Sequence, residues 1–169
     1  MCLKNELHQL VIKCFFYCQI NSKFTKKYKM AFDKEKILNL CNEWSKNTLM
    51  QTLEIEYIDA GENFLTAKMP VNPRVHQPMG ILHGGASVAL AESVGSAASI
   101  MLVNPEKQEV RGIEISANHV RSKREGTIFC TATIIHQGRS VHLWDIKITD
   151  ENGKLISVCK MSNMIIPRR

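Results

Sequence analysis

The stretch His83-Gly-Gly-Ala-Ser-Val-Ala-Leu-Ala-Glu92-Ser-Val-Gly-Ser-Ala-Ala-Ser99 reads as a helix almost without side chains. Gly, Ala and Ser fill 12 of the 16 positions from Gly84 to Ser99. So slender a rod suits close wrapping by a sheet, backbone against backbone. Each Gly costs a helix on the order of 1 kcal/mol relative to Ala, so Gly84, Gly85 and Gly95 need a packing or site reason. Glu92 breaks the pattern. A carboxylate in mid-helix among Ala, Val and Ser is expensive to desolvate unless it is paired or used.

The start of this helix carries chemistry of its own. Its first-turn N–H groups have no intrahelical partner, and the dipole there is positive. Gly84 and Gly85 are expected to bare those amides to a developing oxyanion. His83 stands at the mouth and Gln77 lies just upstream. Eight residues separate Gly84 from Glu92, a rise of roughly 12 Å. Glu92 therefore cannot meet an acyl group held at its own helix N-terminus. A second copy with its helix antiparallel would bring one Glu92 to the other's Gly84, so the site is expected to be shared by two subunits.

Working outward, Asp33 caps a helix that follows Met30 and places Ile37, Leu38, Leu40, Cys41 and Trp44 on one face, ending at Ser45 to Asn47. Leu53-Glu-Ile-Glu-Tyr57 alternates as a strand, Gly61-Glu-Asn63 turns it, and Phe64 to Met69 returns. Pro70, Pro73 and Pro78 mark an irregular loop before the central helix. After it come four strands, Val110 to His119, Thr127 to His136, Val141 to Thr149 and Leu155 to Ile166. Short connections make them antiparallel neighbours. The resulting class is α+β: one antiparallel sheet curled around one small-residue helix.

The 169 residues suit one domain, with an ordinary 44% hydrophobic and 22% charged share. Residues 1–29 differ from the rest. They hold six Lys against one Glu, so +5 of the net +6 sits there and residues 30–169 keep about +1. The basic balance belongs to this leader, which reads as a disordered or mis-assigned start, and no nucleic-acid partner is expected. Leu10 to Ile20 is apolar but holds Lys13 and Gln19, and no small-residue cleavage site follows, a poor secretory signal. No apolar run reaches the roughly 18–20 residues of a membrane span, so no membrane partner is expected. The six Cys form no C-x-x-C pair and no zinc spacing. They are expected to be reduced thiols of a cytoplasmic protein.

Gln77-Pro-Met-Gly-Ile-Leu-His83-Gly-Gly-Ala-Ser-Val-Ala-Leu-Ala-Glu92-Ser-Val-Gly-Ser96, with Asn118-His-Val-Arg-Ser-Lys-Arg-Glu-Gly126 downstream, resembles the hotdog-fold acyl-CoA thioesterases. The branch is that of 1,4-dihydroxy-2-naphthoyl-CoA thioesterase and the enterobactin-pathway proofreading thioesterase. The resemblance spans about residues 48–166. It implies that Glu92 is the catalytic carboxylate, as nucleophile or general base, and that the Gly84 N–H polarises the thioester carbonyl. It further implies that Gln77 and His83 orient that carbonyl and the attacking water, and that Ser96 helps position the acyl group or the carboxylate. Gly112, the segment His119-Val120-Arg121-Ser122 and the turn His136-Gln137-Gly138-Arg139-Ser140 match stretches that line the CoA arm. Relatives place Arg one position later in that turn, so the group that holds a phosphate there stays open. The family generally assembles as a homodimer of hotdogs paired into a homotetramer.

Each residue also has a plainer reading. Glu92 could be a buried, paired structural carboxylate, His83 a cap, Gln77 a surface residue, and Ser96 a hydroxyl bonded back to the i−4 carbonyl. Arg121, Lys123, Arg124 and Arg139 could be a solvated face or a cradle for CoA phosphates. His142 and Trp144 read as packing. The expected reaction is acyl-CoA plus water to carboxylate and CoA; the residues leave an aromatic ring or a medium aliphatic chain equally open as the acyl group, and the resemblance implies an aroyl one. A thiolate leaves readily, so an oxyanion site and one carboxylate suffice, and no metal or other cofactor is expected. Two rivals share the fold: an enoyl-CoA hydratase or dehydratase, and an acyl-CoA-binding module without turnover.

Overall fold

The structure, a computed structural model, describes residues 32–168. The basic leader expected over residues 1–29 lies outside the described residues. Helix α1 is Lys34–Trp44. Asp33 caps it by accepting from the Lys36 N–H at 3.1 Å, and Ile37, Leu38 and Cys41 turn inward. A one-turn helix, α2 at Leu49–Thr52, follows. This extra turn corrects the strand expected over Leu53 to Tyr57. Leu53 caps α2 and Glu54 takes a positive φ of 56°, which an extended strand cannot include. Strand β1 therefore begins at Glu56 and runs to Gly61, and β2 is Phe64–Val71. The proline-marked loop is more ordered than expected. It holds a 3₁₀ turn at Pro73–Val75 and a small hairpin of β3, His76–Gln77, and β4, Ile81–Leu82.

Helix α3 is Gly84–Met101. Its buried positions are Ser87, Leu90, Ala91, Val94, Gly95, Ala98 and Ser99, a stripe at three- and four-residue spacing. The absence of side chains has a direct use at Gly95. A Cβ there would lie 2.7 Å from Met161 Sδ and 3.1 Å from Ile146 Cδ1.

The sheet is completed by β5, Gln108–His119; β6, Gly126–Gln137; β7, Val141–Asp150; and β8, Leu155–Pro167. Its order is β1-β2-β6-β7-β8-β5, antiparallel throughout. This corrects the expectation that β5 and β6, consecutive in the chain, would pair. β5 lies beside β8 at the far edge, and β6 lies beside β2. β8 is buried along its inner face, and a place between β5 and β7 satisfies the backbone groups on both its sides.

The two edges are treated differently. On β1, the Asn42 side chain of α1 donates to the Tyr57 carbonyl at 3.0 Å and accepts from the Tyr57 N–H at 2.9 Å. On the opposite edge, the side of β5 turned away from β8 has no strand partner among the described residues along its 12 residues.

Beneath α3 lies a polar knot. The Ser99 hydroxyl accepts from Trp144 Nε1 and from Asn163 Nδ2, both at 2.8 Å. Its own proton therefore goes to His142 Nδ1, 3.1 Å away. That bond needs a neutral ring. Burial, and then the neighbouring His136, lower the His142 pKa. His142 and Trp144 are packing residues, as expected. Cys41, Cys130 and Cys159 are free and buried, and burial pushes the Cys41 thiol up to about 12.

Candidate active site

The mouth of α3 is built by its cap. His83 Nδ1 accepts from the Gly85 N–H at 2.8 Å. Gly85 is therefore not open to a ligand, contrary to expectation. The free amide is that of Gly84, which has no partner among the described residues. Because Nδ1 is an acceptor, a neutral His83 carries its proton on Nε2. Gln77 is oriented in the same manner. Its Oε1 accepts from the Met79 N–H at 2.7 Å, so its amide NH₂ is the free end. The tight turn behind that bond relies on Gly80 at φ 69°.

These groups open on a cavity of about 310 Å³ lined by Gln77, Gly84, Ser87, His119, Arg121 and Ser157, among others. His119 Nε2 lies 2.7 Å from where a Cβ on Gly84 would stand. Any side chain there would have to displace the imidazole, so glycine is what lets His119 lie over the helix start. The cavity presents N–H donors around one free helix-start amide, an arrangement suited to an oxygen gaining negative charge.

Glu92 belongs elsewhere. It lines a second, mostly apolar cavity of about 490 Å³ with Cys41, Trp44, Met50, Tyr57, Ser96 and others. It is exposed and has no hydrogen bond or ion pair among the described residues, which removes the buried-and-paired reading. Its Oε1 lies 3.2 Å from the Cβ position of Gly112 on β5. Ser96 lines the same cavity, and its hydroxyl has no partner among the described residues. The bond back to the i−4 carbonyl is made by Ser93 instead, to Ala89 at 2.7 Å.

The expected CoA-lining residues divide along the same line. His119, Val120, Arg121 and Ser122 join Gln77 and Gly84. Gly112 lies with Glu92 towards the other end of β5. The turn His136, Gln137, Gly138, Arg139 and Ser140 sits near that end: the Ser140 carbonyl accepts from the Ile165 N–H at 2.9 Å, and Gly112 pairs with Asn163 on the same β8. One chain does not bring the two groups together. Among the basic residues, Lys123 is held by Glu151 and Arg124 by the Met79 and Gly80 carbonyls, while Arg121 uses only Nε, on Leu155. Lys123 is also the main reason the Glu151 carboxyl falls to about 2. Sequence reasoning missed the groove residues Met50 and Tyr57 as site components, and Ser157 altogether. Nothing local marks them, because tertiary packing alone carries them to a cavity. Among the described residues no group of three or more His, Cys, Asp or Glu is placed to hold a metal ion, and no helix is long and apolar enough to cross a membrane.

A sheet wrapped on a small-residue helix is the hotdog fold, and the relatives of this chain place it among the thioester hydrolases. Residues 79–157 match the thioesterase superfamily. The chain is 41% identical over 130 residues to the putative esterase PA1618 of Pseudomonas aeruginosa, covering 77% of this chain and 90% of that one. It is 39% identical over 137 residues to the 1,4-dihydroxy-2-naphthoyl-CoA hydrolase of Escherichia coli, covering 81% of this chain and 100% of the relative. A crystal structure of a mutant of the P. aeruginosa thioesterase PA1618 superposes with a TM-score of 0.77 at 37% identity, over 85% of this chain and 100% of that one. The chain belongs to the thioesterase superfamily.

Proposed function

We propose that the protein hydrolyses acyl-CoA thioesters, aroyl-CoA foremost, in a pocket that two copies of the chain complete together. The observation that carries this reading is the division of the donor mouth and Glu92 between two cavities, set towards opposite ends of one bare strand. Antiparallel pairing of β5 with β5 of a second copy, about a two-fold between Gly112 and His119, sets the end beside one chain's Glu92 against the end beside the other's Gly84.

In that pocket the thioester carbonyl accepts from the Gly84 N–H, with the Gln77 amide and His83 Nε2 beside it. Glu92 of the facing chain attacks the carbonyl carbon or takes a proton from water that does so. The tetrahedral oxyanion collapses, the C–S bond breaks and CoA leaves as thiolate; where Glu92 has attacked directly, water then hydrolyses the acyl–Glu92 anhydride, releasing the carboxylic acid product and restoring the Glu92 carboxylate. The CoA arm lies along His119 to Ser122, with Arg121 and Arg139 free to meet its phosphates. The acyl group enters the mostly apolar groove lined by Trp44, Met50 and Tyr57, and the likeness to a hydrolase named for a naphthoyl-CoA supports a ring-bearing substrate. Ile113, Leu143 and Met164, each at least 36% exposed, give the outer face of the sheet an apolar patch on which two such dimers would form a tetramer. Buried reduced thiols fit a cytoplasmic setting.

The test is thiol release from a panel of aroyl- and aliphatic acyl-CoA esters by wild type and Glu92→Gln. Wild type is expected to release CoA, fastest from an aroyl ester, and the variant to lose at least about a hundredfold in kcat while keeping its fold. Near-normal turnover by Glu92→Gln rejects the assigned chemistry. Enoyl absorbance change without thiol release favours a hydratase, and binding without either favours a binding module.

A further inference from the structure

Ser157 is completely buried and stands directly across from His119 in the ladder of β5 and β8. Its Oγ lies 2.8 Å from His119 Nδ1, and no other partner for the hydroxyl exists among the described residues. That fixes the direction of the bond. Were the ring to donate, the Ser157 proton would be a buried donor without an acceptor, which costs more than an idle lone pair. The hydroxyl therefore donates to Nδ1, and a neutral His119 carries its proton on Nε2.

Nε2 is the atom that lies over Gly84. His119 lines the first cavity together with both Gly84 and Val120 to Ser122, its ring against Gly84 and its backbone leading directly into Val120 to Ser122. A thioester with its carbonyl on Gly84 and its arm along Val120 to Ser122 carries its sulfur between the two, beside this imidazole. We propose that His119 is a hydrogen-bond donor to the departing sulfur and that Ser157 is the residue that positions it; this rests on the thioesterase reading above. When the oxyanion collapses, the C–S electron pair leaves with sulfur. The Nε2–H stabilises that developing charge and keeps its proton, and the thiolate is protonated by solvent.

A donor to sulfur helps a poor leaving group more than a good one. The assay is kcat on one acyl group carried by thiols of falling pKa, from CoA itself to a nitrothiophenol. His119→Ala is expected to lose on the order of tenfold or more on the CoA ester, a loss that fades towards none on the nitrothiophenyl ester. Ser157→Ala, which removes a single oxygen, is expected to show a smaller loss with the same trend, and the two losses are not to add in the double variant. His119→Gln, with an amide N–H in place of Nε2–H, is expected to recover part of the rate. A Ser157→Ala loss that is equal for every thiol, or that adds in full to that of His119→Ala, overturns the inference and leaves hydrolysis standing. If His119→Ala does not fold, the leaving-group trend of Ser157→Ala decides alone. Wild type that releases no thiol from any ester overturns the thioesterase reading, and the inference falls with it.

Discussion

Two defective copies of this chain are expected to make a working enzyme when mixed. Gln77→Ala damages the donor mouth, and Glu92→Ala removes the carboxylate. Each variant alone is expected to keep on the order of 1% of wild-type kcat or less, the usual consequence of deleting one preorganised donor or the attacking group. In a mixed dimer with shared pockets, one pocket receives both lesions and the other receives neither. Random reassortment of equal amounts makes half the dimers mixed, and half their pockets are sound. The mixture is therefore expected to regain about one quarter of wild-type activity, far above either parent. A pocket closed within one chain predicts otherwise, since every pocket would then keep one lesion. The measurement is thiol release after the two variants are denatured together and refolded, with differently tagged copies recovered as mixed species to prove exchange. The double variant Gln77→Ala/Glu92→Ala, refolded with wild type, calibrates the exchange. Proven mixed dimers with only parental activity would refute the shared pocket, and with it the role given to the bare edge of β5.

Other outcomes follow from the core. Ser99→Ala leaves Trp144 Nε1, Asn163 Nδ2 and His142 Nδ1 short of a shared partner. It is expected to destabilise the fold by about 2–4 kcal/mol, read as a lower urea midpoint with an unchanged slope. His142 titrates below its ordinary value of about 6.5 because it is buried neutral. The unfolded chain thus binds that proton first, and stability present above that pH is lost as pH falls towards the folded pKa. Melting temperature is expected to drop on acidification from neutral pH, and less steeply in His142→Gln; equal slopes would contradict the assignment.

How much of this was legible in the sequence varied with the range of the forces involved. The central helix could be read because a small-residue run needs only its neighbours in the chain to declare itself, and the observed helix starts at Gly84 as expected. Alternation located β5 to β8 to within two residues at each end. The opening strand was misread because Glu54 adopts a left-handed backbone that side-chain alternation cannot reveal. Strand order was misread because pairing β5 with β8 reflects closure of the whole sheet and not the six-residue link after His119. Glu92 and Gly84 were named from their types and spacing, and Gln77 from the family resemblance.

What the sequence by itself determined is what short-range rules encode: a thin helix with a charged flank and a naked start, wrapped by alternating strands. Which way each polar group faces was decided by the folded backbone, through neighbours two residues away at Gln77 and His83 and through a distant strand at His119. Gln77 offers nitrogen because Met79 occupies its oxygen, His83 because Gly85 occupies Nδ1, and His119 because Ser157, 38 residues on, does the same. A side chain with two polar ends shows a partner the one its neighbours leave vacant, and those neighbours are chosen by folding.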